Sequence, residues 1–198
     1  EAFKRTETPV VLAGTKDNRE EFASVTIDYK KADTEALNLL MHDGKRNLAI
    51  VVGDQDAVVN GENRIPAYED FIKANNLGEP HIYTGIKDYS DGYNLYPQLV
   101  KDGINGVIVT RDISSVGILN SAMDAGTKVP EEFEIVTASA TQLASVVRPA
   151  LTTIKQPLYD MGAVAMRMLT KLMNNEEVDD THIELPYELV KKQSTLNQ

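Results

Sequence analysis

Arg167 and Lys171 stand four residues apart in the run Leu151-Thr-Thr-Ile-Lys-Gln-Pro-Leu-Tyr-Asp-Met-Gly-Ala-Val-Ala-Met-Arg-Met-Leu-Thr-Lys-Leu-Met173. On a helix that spacing brings two cations onto one side, where their like charges repel by roughly 0.2–0.5 kcal/mol. A pair that gains nothing locally is explained in one of two ways. It serves an anionic partner, or it is a solvated face on which Lys171 complements the negative end of the helix dipole. From the residues alone the solvated face is the simpler reading.

Other chemistry-bearing residues form no pattern that points to catalysis. His42, His81 and His182 lie far apart and outside metal-ligand spacing, so no zinc or iron site is expected. The chain has no G-x-S-x-G elbow; Ser114 and Ser115 read as cap residues and Ser139 as a loop residue. Gly44-Lys45 lacks the upstream glycine of a phosphate loop and reads as a helix-ending glycine followed by a solvated lysine. Asp54-Gln-Asp56 opens like a calcium loop but lacks the later ligands. No enzymatic activity and no cofactor are expected.

The elements that must carry the basic pair follow from periodicity. Gln156-Pro157 closes an extended segment, and proline suits the first turn of the helix that follows because its φ is fixed and it has no amide hydrogen. At about 100° per residue Met161, Ala165, Met168, Leu169 and Leu172 cluster on one face, leaving Arg167 and Lys171 outside it.

Upstream, apolar runs alternate with helical patterns. Residues 48–52 predict a buried strand, and residues 64–75 a helix with Tyr68, Phe71 and Ile72 inward. A short strand is expected over 81–84, then a helix capped by Asp88 or Asp91, carrying Leu95, Leu99 and Val100 and ended by Gly103. A strand over 107–110 leads to a helix capped by Asp112 or Ser114, with Val116, Leu119, Ala122 and Met123 inward and Gly126 closing it. Residues 133–138 form the next strand.

Apolar, non-alternating strands joined by helices predict an α/β fold with parallel strands covered on both faces, ligands sitting at the strands' carboxyl ends. The polar stretch 174–180 follows the marker helix. Residues 182–190 then return to an extended pattern in which Pro186 marks an edge or crossing strand.

The 198 residues carry a formal net charge of −10, which argues against this chain by itself condensing on a phosphate backbone or an anionic membrane. No apolar run is long enough to span a bilayer, and no secretory signal pattern opens the chain. The absence of cysteine removes disulfide and thiolate chemistry and fits a cytoplasmic setting. Residues 1–9 read as the end of a helix and its turn, followed at once by the strand-like Val10-Val-Leu-Ala13. The expectation is therefore a chain that starts within a domain.

The segments Leu151-Thr-Thr-Ile-Lys-Gln-Pro157, Asp160-x-Gly162, Ala163-Val-Ala-Met-Arg167 and Leu169-Thr-Lys-Leu-Met173 resemble the LacI family of bacterial transcription regulators. Gly126-x-x-Val-Pro-Glu-Glu132, Val147-Arg-Pro149, Glu184-Leu-Pro186 and Val25-x-Ile-Asp28 extend the resemblance over essentially the whole chain. It implies a type I periplasmic-binding-protein-like core of two subdomains joined by three crossings and working as a homodimer. Residues 1–28 would end the N-terminal subdomain, 29–154 form the C-terminal one, 155–184 return to the first, and 185–198 make the final crossing and rejoin the C-terminal subdomain. The helix near residues 116–123 and the loop near 142–147 would lie at the dimer interface. Operator DNA would be read only by a helix-turn-helix headpiece outside this sequence.

The resemblance also names two sites. The family senses a small molecule through positions that read here Arg64, Arg111, Asp112 and Ser139. Arg111 replaces the usual amide and Ser139 the usual carboxylate. That makes the cleft more cationic, favouring a phosphorylated sugar such as glucose 6-phosphate or fructose 1,6-bisphosphate over a neutral one. The alternative is an Arg111 paired with Asp112 or Glu132 in a cleft without a ligand.

The chain is most similar to the branch of the family that governs carbon catabolite control, whose co-repressor is a protein, the seryl-phosphorylated phosphocarrier HPr. By that resemblance Arg167 and Lys171 hold the serine phosphate, with Val164 and Tyr159 as apolar contacts.

Overall fold

The computed structural model describes residues 8–15, 21–54 and 57–196. The helix end expected over residues 1–9 and the Asp54-Gln-Asp56 segment lie mostly outside them. In chain order the elements are β1 (Val11–Ala13), β2 (Ala23–Thr26), α1 (Tyr29–His42) and β3 (Leu48–Val51). A π-helical turn (Val59–Arg64) runs directly into α2 (Ile65–Ala74), followed by β4 (Ile82–Tyr83), α3 (Tyr89–Lys101), β5 (Gly106–Val109) and α4 (Asp112–Asp124). Then come β6 (Glu134–Thr137), the short α5 (Leu143–Val146), β7 (Thr152–Lys155), α6 (Leu158–Met173), β8 (His182–Glu184) and β9 (Glu188–Val190).

The chain divides into two compact units, residues 1–28 with 156–187 and residues 29–155 with 188–198. In unit 1, β1, β2 and β8 form a parallel sheet in the order β1-β2-β8 among the described residues. Helix α6 packs on β1 and β2 with Met161, Ala165 and Met168 buried, as the 3.6-residue period requires. The expected extended stretch 182–190 is two strands rather than one: β8 belongs to unit 1 and β9 to unit 2, with Pro186, which has no amide to donate, in the break.

Unit 2 is built on a sheet in the order β4-β3-β5-β6-β7-β9. Its strands pair in parallel except β9, which runs antiparallel to β7 at the edge. On one face Leu95 and Leu99 of α3 and Ile118 and Leu119 of α4 join Val107, Val109 and Ile135 in one cluster. The other face takes α1, which packs on β5, β7 and β9. Strands buried on both faces have no polar side to present, which is why β3 and β5 read as continuous apolar runs.

Helices α3 and α4 approach so closely that a side chain at Gly117 would begin 2.2 Å from the Tyr89 carbonyl oxygen, and one at Gly92 2.1 Å from that of Ser114. Val100 and Met123, expected inward, are exposed on these helices at 55% and 48%.

Three capping or lysine assignments change. Asp88 and Asp91 do not compete for the start of α3 but cap it together: each carboxylate accepts the other's amide hydrogen. Helix α4 begins after an extended Arg111 with no side-chain cap. Asp112 instead accepts from Thr137 Oγ1 and the Thr141 amide, and the Ser114 hydroxyl donates to the Ile86 carbonyl. Lys45 is not solvated. It is buried and donates to the carbonyls of Pro130 and Glu131 at 3.2 and 2.8 Å, its stem packed beside Gly106.

The C-terminal segment closes unit 2 through a buried polar cluster. Glu134 Oε1 accepts the Leu196 amide at 2.9 Å, and Ser194 Oγ accepts from the Thr152 amide and donates to the Ile135 carbonyl. Burial pushes the Glu134 carboxyl up to about 7, against the opposing pull of the Leu196 hydrogen bond.

Candidate functional site

Helix α6 starts at Leu158, one residue later than the position expected for proline. Pro157 precedes the helix and accepts the Met161 amide at 2.8 Å through its carbonyl. With Met161, Ala165 and Met168 turned inward, the opposite side of the helix is left open. Arg167 is exposed, Tyr159 is 87% exposed two turns before it in the same row, and Val164 is half-buried two turns before Lys171. Leu158 and Met166 are also exposed on this helix, at 60% and 61%.

The basic pair borders an open recess within unit 1. Val164, Met168, Val178 and Ile183 give it apolar walls, and Arg167, Lys171, Asp179 and Asp180 give it charged ones. The Arg167 guanidinium makes no hydrogen bond or ion pair among the described residues. Lys171 behaves differently: its Nζ lies 3.9 Å from Asp179 Oδ2 and 3.5 Å from the Glu177 carbonyl oxygen. The loop that follows α6 therefore turns back onto its last cation. Two cations near an apolar wall can recognise a phosphate monoester carried on a protein surface, since guanidinium and ammonium both donate charge-assisted hydrogen bonds to phosphate oxygens.

The four candidate effector residues all belong to unit 2, at the carboxyl ends of its strands or in the π-helical turn. Arg64 is buried; its Nη1 donates to Asp33 Oδ1 and its guanidinium lies 4.9 Å from the centroid of the Tyr29 ring. Burial raises the Asp33 carboxyl above its ordinary value, with Arg64 pulling the other way. Asp112 is held by Thr137 and Thr141, and the Ser139 hydroxyl donates to the Thr110 carbonyl at 2.8 Å. Arg111 is exposed, and its Nε lies 2.9 Å from where a β-carbon at Gly53 would stand, so the glycine makes room for the guanidinium stem. The pairing considered for it does not form. Asp112 is engaged elsewhere, Glu132 accepts the Lys128 amide, and Arg111 has no ion pair among the described residues.

Sequence reasoning missed two partners. Asp33 reads as one more polar residue of α1, and nothing in its spacing links it to Arg64, 31 residues away. Asp179 left a trace in the acidic run Glu176-Glu-Val-Asp-Asp180, which follows the basic pair closely enough to fold back on it. Among the described residues no group of three or more histidines and carboxylates could hold a metal ion, and no helix is long and apolar enough to cross a membrane.

Residues 37–195 match the model of the periplasmic binding protein-like domain. The chain belongs to that family, in the form carried by LacI-type transcription regulators, and is related to catabolite control protein A. It is 71% identical over 198 residues to the HTH-type transcriptional regulator pepR1 of Lactobacillus delbrueckii subsp. lactis, covering all of this chain and 60% of that protein. Catabolite control protein A of Streptococcus mutans is 39% identical over 98% of this chain and 58% of its own length. The crystal structure of the transcription regulator CcpA of Lactococcus lactis superposes with a TM-score of 0.92 at 37% identity, over 98% of this chain and 72% of that one. The chain thus spans about three fifths of the length of the curated relatives it matches.

Proposed function

We propose that this chain is the regulatory core of a cytoplasmic carbon-catabolite regulator whose co-repressor is seryl-phosphorylated HPr, docked on α6 with its phosphate between Arg167 and Lys171. The observation that carries the reading is the open face of α6: an exposed Arg167, unpaired among the described residues, beside Lys171, with Val164 and Tyr159 as apolar surface for a protein to cover. A serine phosphate brings a charge of about −1.5 to −2 and three acceptor oxygens, enough to engage both cations at once. The similarity to two catabolite control proteins supports the same partner.

The regulator works as a homodimer through unit 2. Exposed Met123, Leu143 and Val146, on or beside α4 and α5, support that assignment of the interface. Docking acts on DNA through its differential affinity for two states of the dimer, which orders headpieces outside this sequence. Arg111, the open cation at the strand ends of unit 2, supports a second and subordinate role for glucose 6-phosphate or fructose 1,6-bisphosphate as an adjunct effector.

The partner assignment is tested by titration calorimetry of seryl-phosphorylated HPr against the chain and its Arg167→Glu variant. Losing a charge-assisted hydrogen bond of about 1.5–3 kcal/mol weakens binding roughly ten- to a hundredfold. Equal affinity for both chains would remove Arg167 from the site.

A further inference from the structure

Unit 2 holds a pair of acidic side chains shut away from water. Glu134, on β6, and Asp43, in the turn after α1, both have fully buried side chains. The Asp43 carboxyl lies within hydrogen-bonding reach of the Glu134 carboxyl. Glu134 Oε1 accepts the Leu196 amide at 2.9 Å, whereas Oε2 finds no donor among the described residues.

Ionised carboxylates only accept hydrogen bonds, so two of them in contact leave each other unsatisfied. One proton between them supplies the missing donor and removes one of two buried charges, so such a pair takes up a single proton readily. Lys45 is the cation that acts on Glu134 among the described residues, but its Nζ is committed to the Pro130 and Glu131 carbonyls. His42 Nδ1 lies 3.5 Å from Asp43 Oδ1 on an exposed ring. The remaining neighbours bring no charge: β5 sets Gly106 opposite Glu134, and residues 194–196 are serine, threonine and leucine.

The segments around the pair are not held equally. The Asp43, Gly44 and Lys45 amides donate to the Leu39, Met41 and Leu40 carbonyls at 3.0, 3.1 and 3.0 Å, and β6 lies inside the sheet between β5 and β7. Residues 191–196 follow β9 without forming a strand or helix, and Leu196 is 46% exposed. Besides the Leu196 contact, this segment is held by the Ser194 amide on the Ala150 carbonyl, the Ala150 amide on Gln193 Oε1 and the Thr152 amide on Ser194 Oγ. Water reaches the carboxyl pair most easily past this segment.

We propose that Asp43 and Glu134 share one proton and act as a pH-sensitive clasp, closing residues 194–196 onto unit 2 while protonated and letting them open when the proton is lost. Burial raises the Glu134 carboxyl to about 7; Asp43 adds to the rise, and the Leu196 amide and Lys45 oppose it. In the open form water restores the ordinary value of 4.5. The proton therefore favours the closed form, fully below about 4.5 and no longer above about 7. Between pH 6 and pH 8 the closed form should lose about tenfold against the open one.

Amide hydrogen exchange at pH 6 and pH 8, each corrected for the intrinsic exchange rate, reads this directly at Ala150, Thr152, Ser194 and Leu196. Protection at these amides should fall about tenfold in the unaltered chain. It should also stay below that of Leu40 in α1, because the segment opens without the rest of the unit. Glu134→Gln keeps an acceptor for Leu196 and supplies Asp43 with a donor, so its protection should be the same at both pH values. Equal protection at pH 6 and pH 8 in the unaltered chain overturns the clasp. So does an equal loss in Glu134→Gln, or protection at the four amides matching that of Leu40.

Carbon-13 titration of the side-chain carboxyls tests the shared proton in the same chain. The Glu134 carboxyl should titrate in a step near pH 7, with the Asp43 carboxyl carbon responding to it. In Asp43→Asn an amide donor replaces the second acid, and the Glu134 step should move down by about one pH unit or more. A Glu134 step that stays in place in Asp43→Asn would show that no proton is shared and would overturn the proposal.

Discussion

Arg64 and Arg167 are the same residue type at two candidate anion sites, and their surroundings are opposite. In unit 2, Arg64 is buried, paired with Asp33 and packed over Tyr29; Asp112 and Ser139 are likewise bonded to neighbours within the unit. In unit 1, Arg167 stands exposed on α6 with no partner among the described residues, and its neighbour Lys171 holds two long contacts, to an exposed aspartate and to the Glu177 carbonyl. A polar group already satisfied in the core contributes to stability and is a poor candidate for sensing, because a ligand must first break what holds it. A charge left unsatisfied at the surface contributes little to folding and is free to bind.

The contrast is broken most severely by removing one half of the buried pair. Arg64→Met leaves Asp33 buried without its counter-ion and should cost about 3–5 kcal/mol, read as a lower midpoint in urea unfolding. Arg64→Met with Asp33→Leu should recover most of that loss, since a well-packed apolar pair often replaces a buried ion pair at no cost. If Arg64→Met melts like the unaltered chain, Arg64 is not structural and its candidacy as an effector contact is restored. The Arg167→Glu chain, by contrast, should keep its unfolding midpoint while losing the carrier.

Glu134 gives a pH-dependent version of the same point. Its carboxyl is raised to about 7 in the folded chain from an ordinary value of 4.5, so the folded state holds its proton more tightly than the unfolded one. That contribution to stability is present in full below about 4.5, declines as pH rises through the interval, and is gone above about 7. Urea midpoints for the unaltered chain should therefore fall relative to Glu134→Gln between those limits. Parallel curves would show that the carboxyl is not held neutral in the fold. The smallest effect is expected at Tyr159→Ala, which should weaken HPr binding by about 1 kcal/mol in calorimetry through lost apolar contact, with no change in melting.

What the sequence made legible was periodic. The inward faces of α2 and α6 followed from 3.6-residue spacing, and Gly103 and Gly126 marked the ends of α3 and α4, each with a positive φ, 72° and 79°. The buried polar groups were not legible, because their partners come from distant segments. Lys45 meets carbonyls 85 and 86 residues away, Asp112 a threonine 25 residues on, and Arg64 an aspartate 31 residues back. Local pattern sees a lysine after a helix-ending glycine or an aspartate before a helix, and assigns it to solvent or to a cap. The open face of α6 was visible as an unexplained basic pair, while the acidic loop against it was read only as a break in composition. Family likeness, rather than spacing, connected that pair to a phosphate.

The central claim is that the phosphorylated carrier is sensed on α6 of unit 1 and not at the strand ends of unit 2. Amide chemical-shift mapping of this chain with seryl-phosphorylated HPr tests it directly. The account predicts perturbations concentrated at Tyr159, Val164, Arg167 and Lys171 and in the loop at Val178 and Asp179, with Gly53, Arg111 and Ser139 unmoved. Perturbations confined to Gly53, Arg111 and Ser139, with α6 silent, would contradict it.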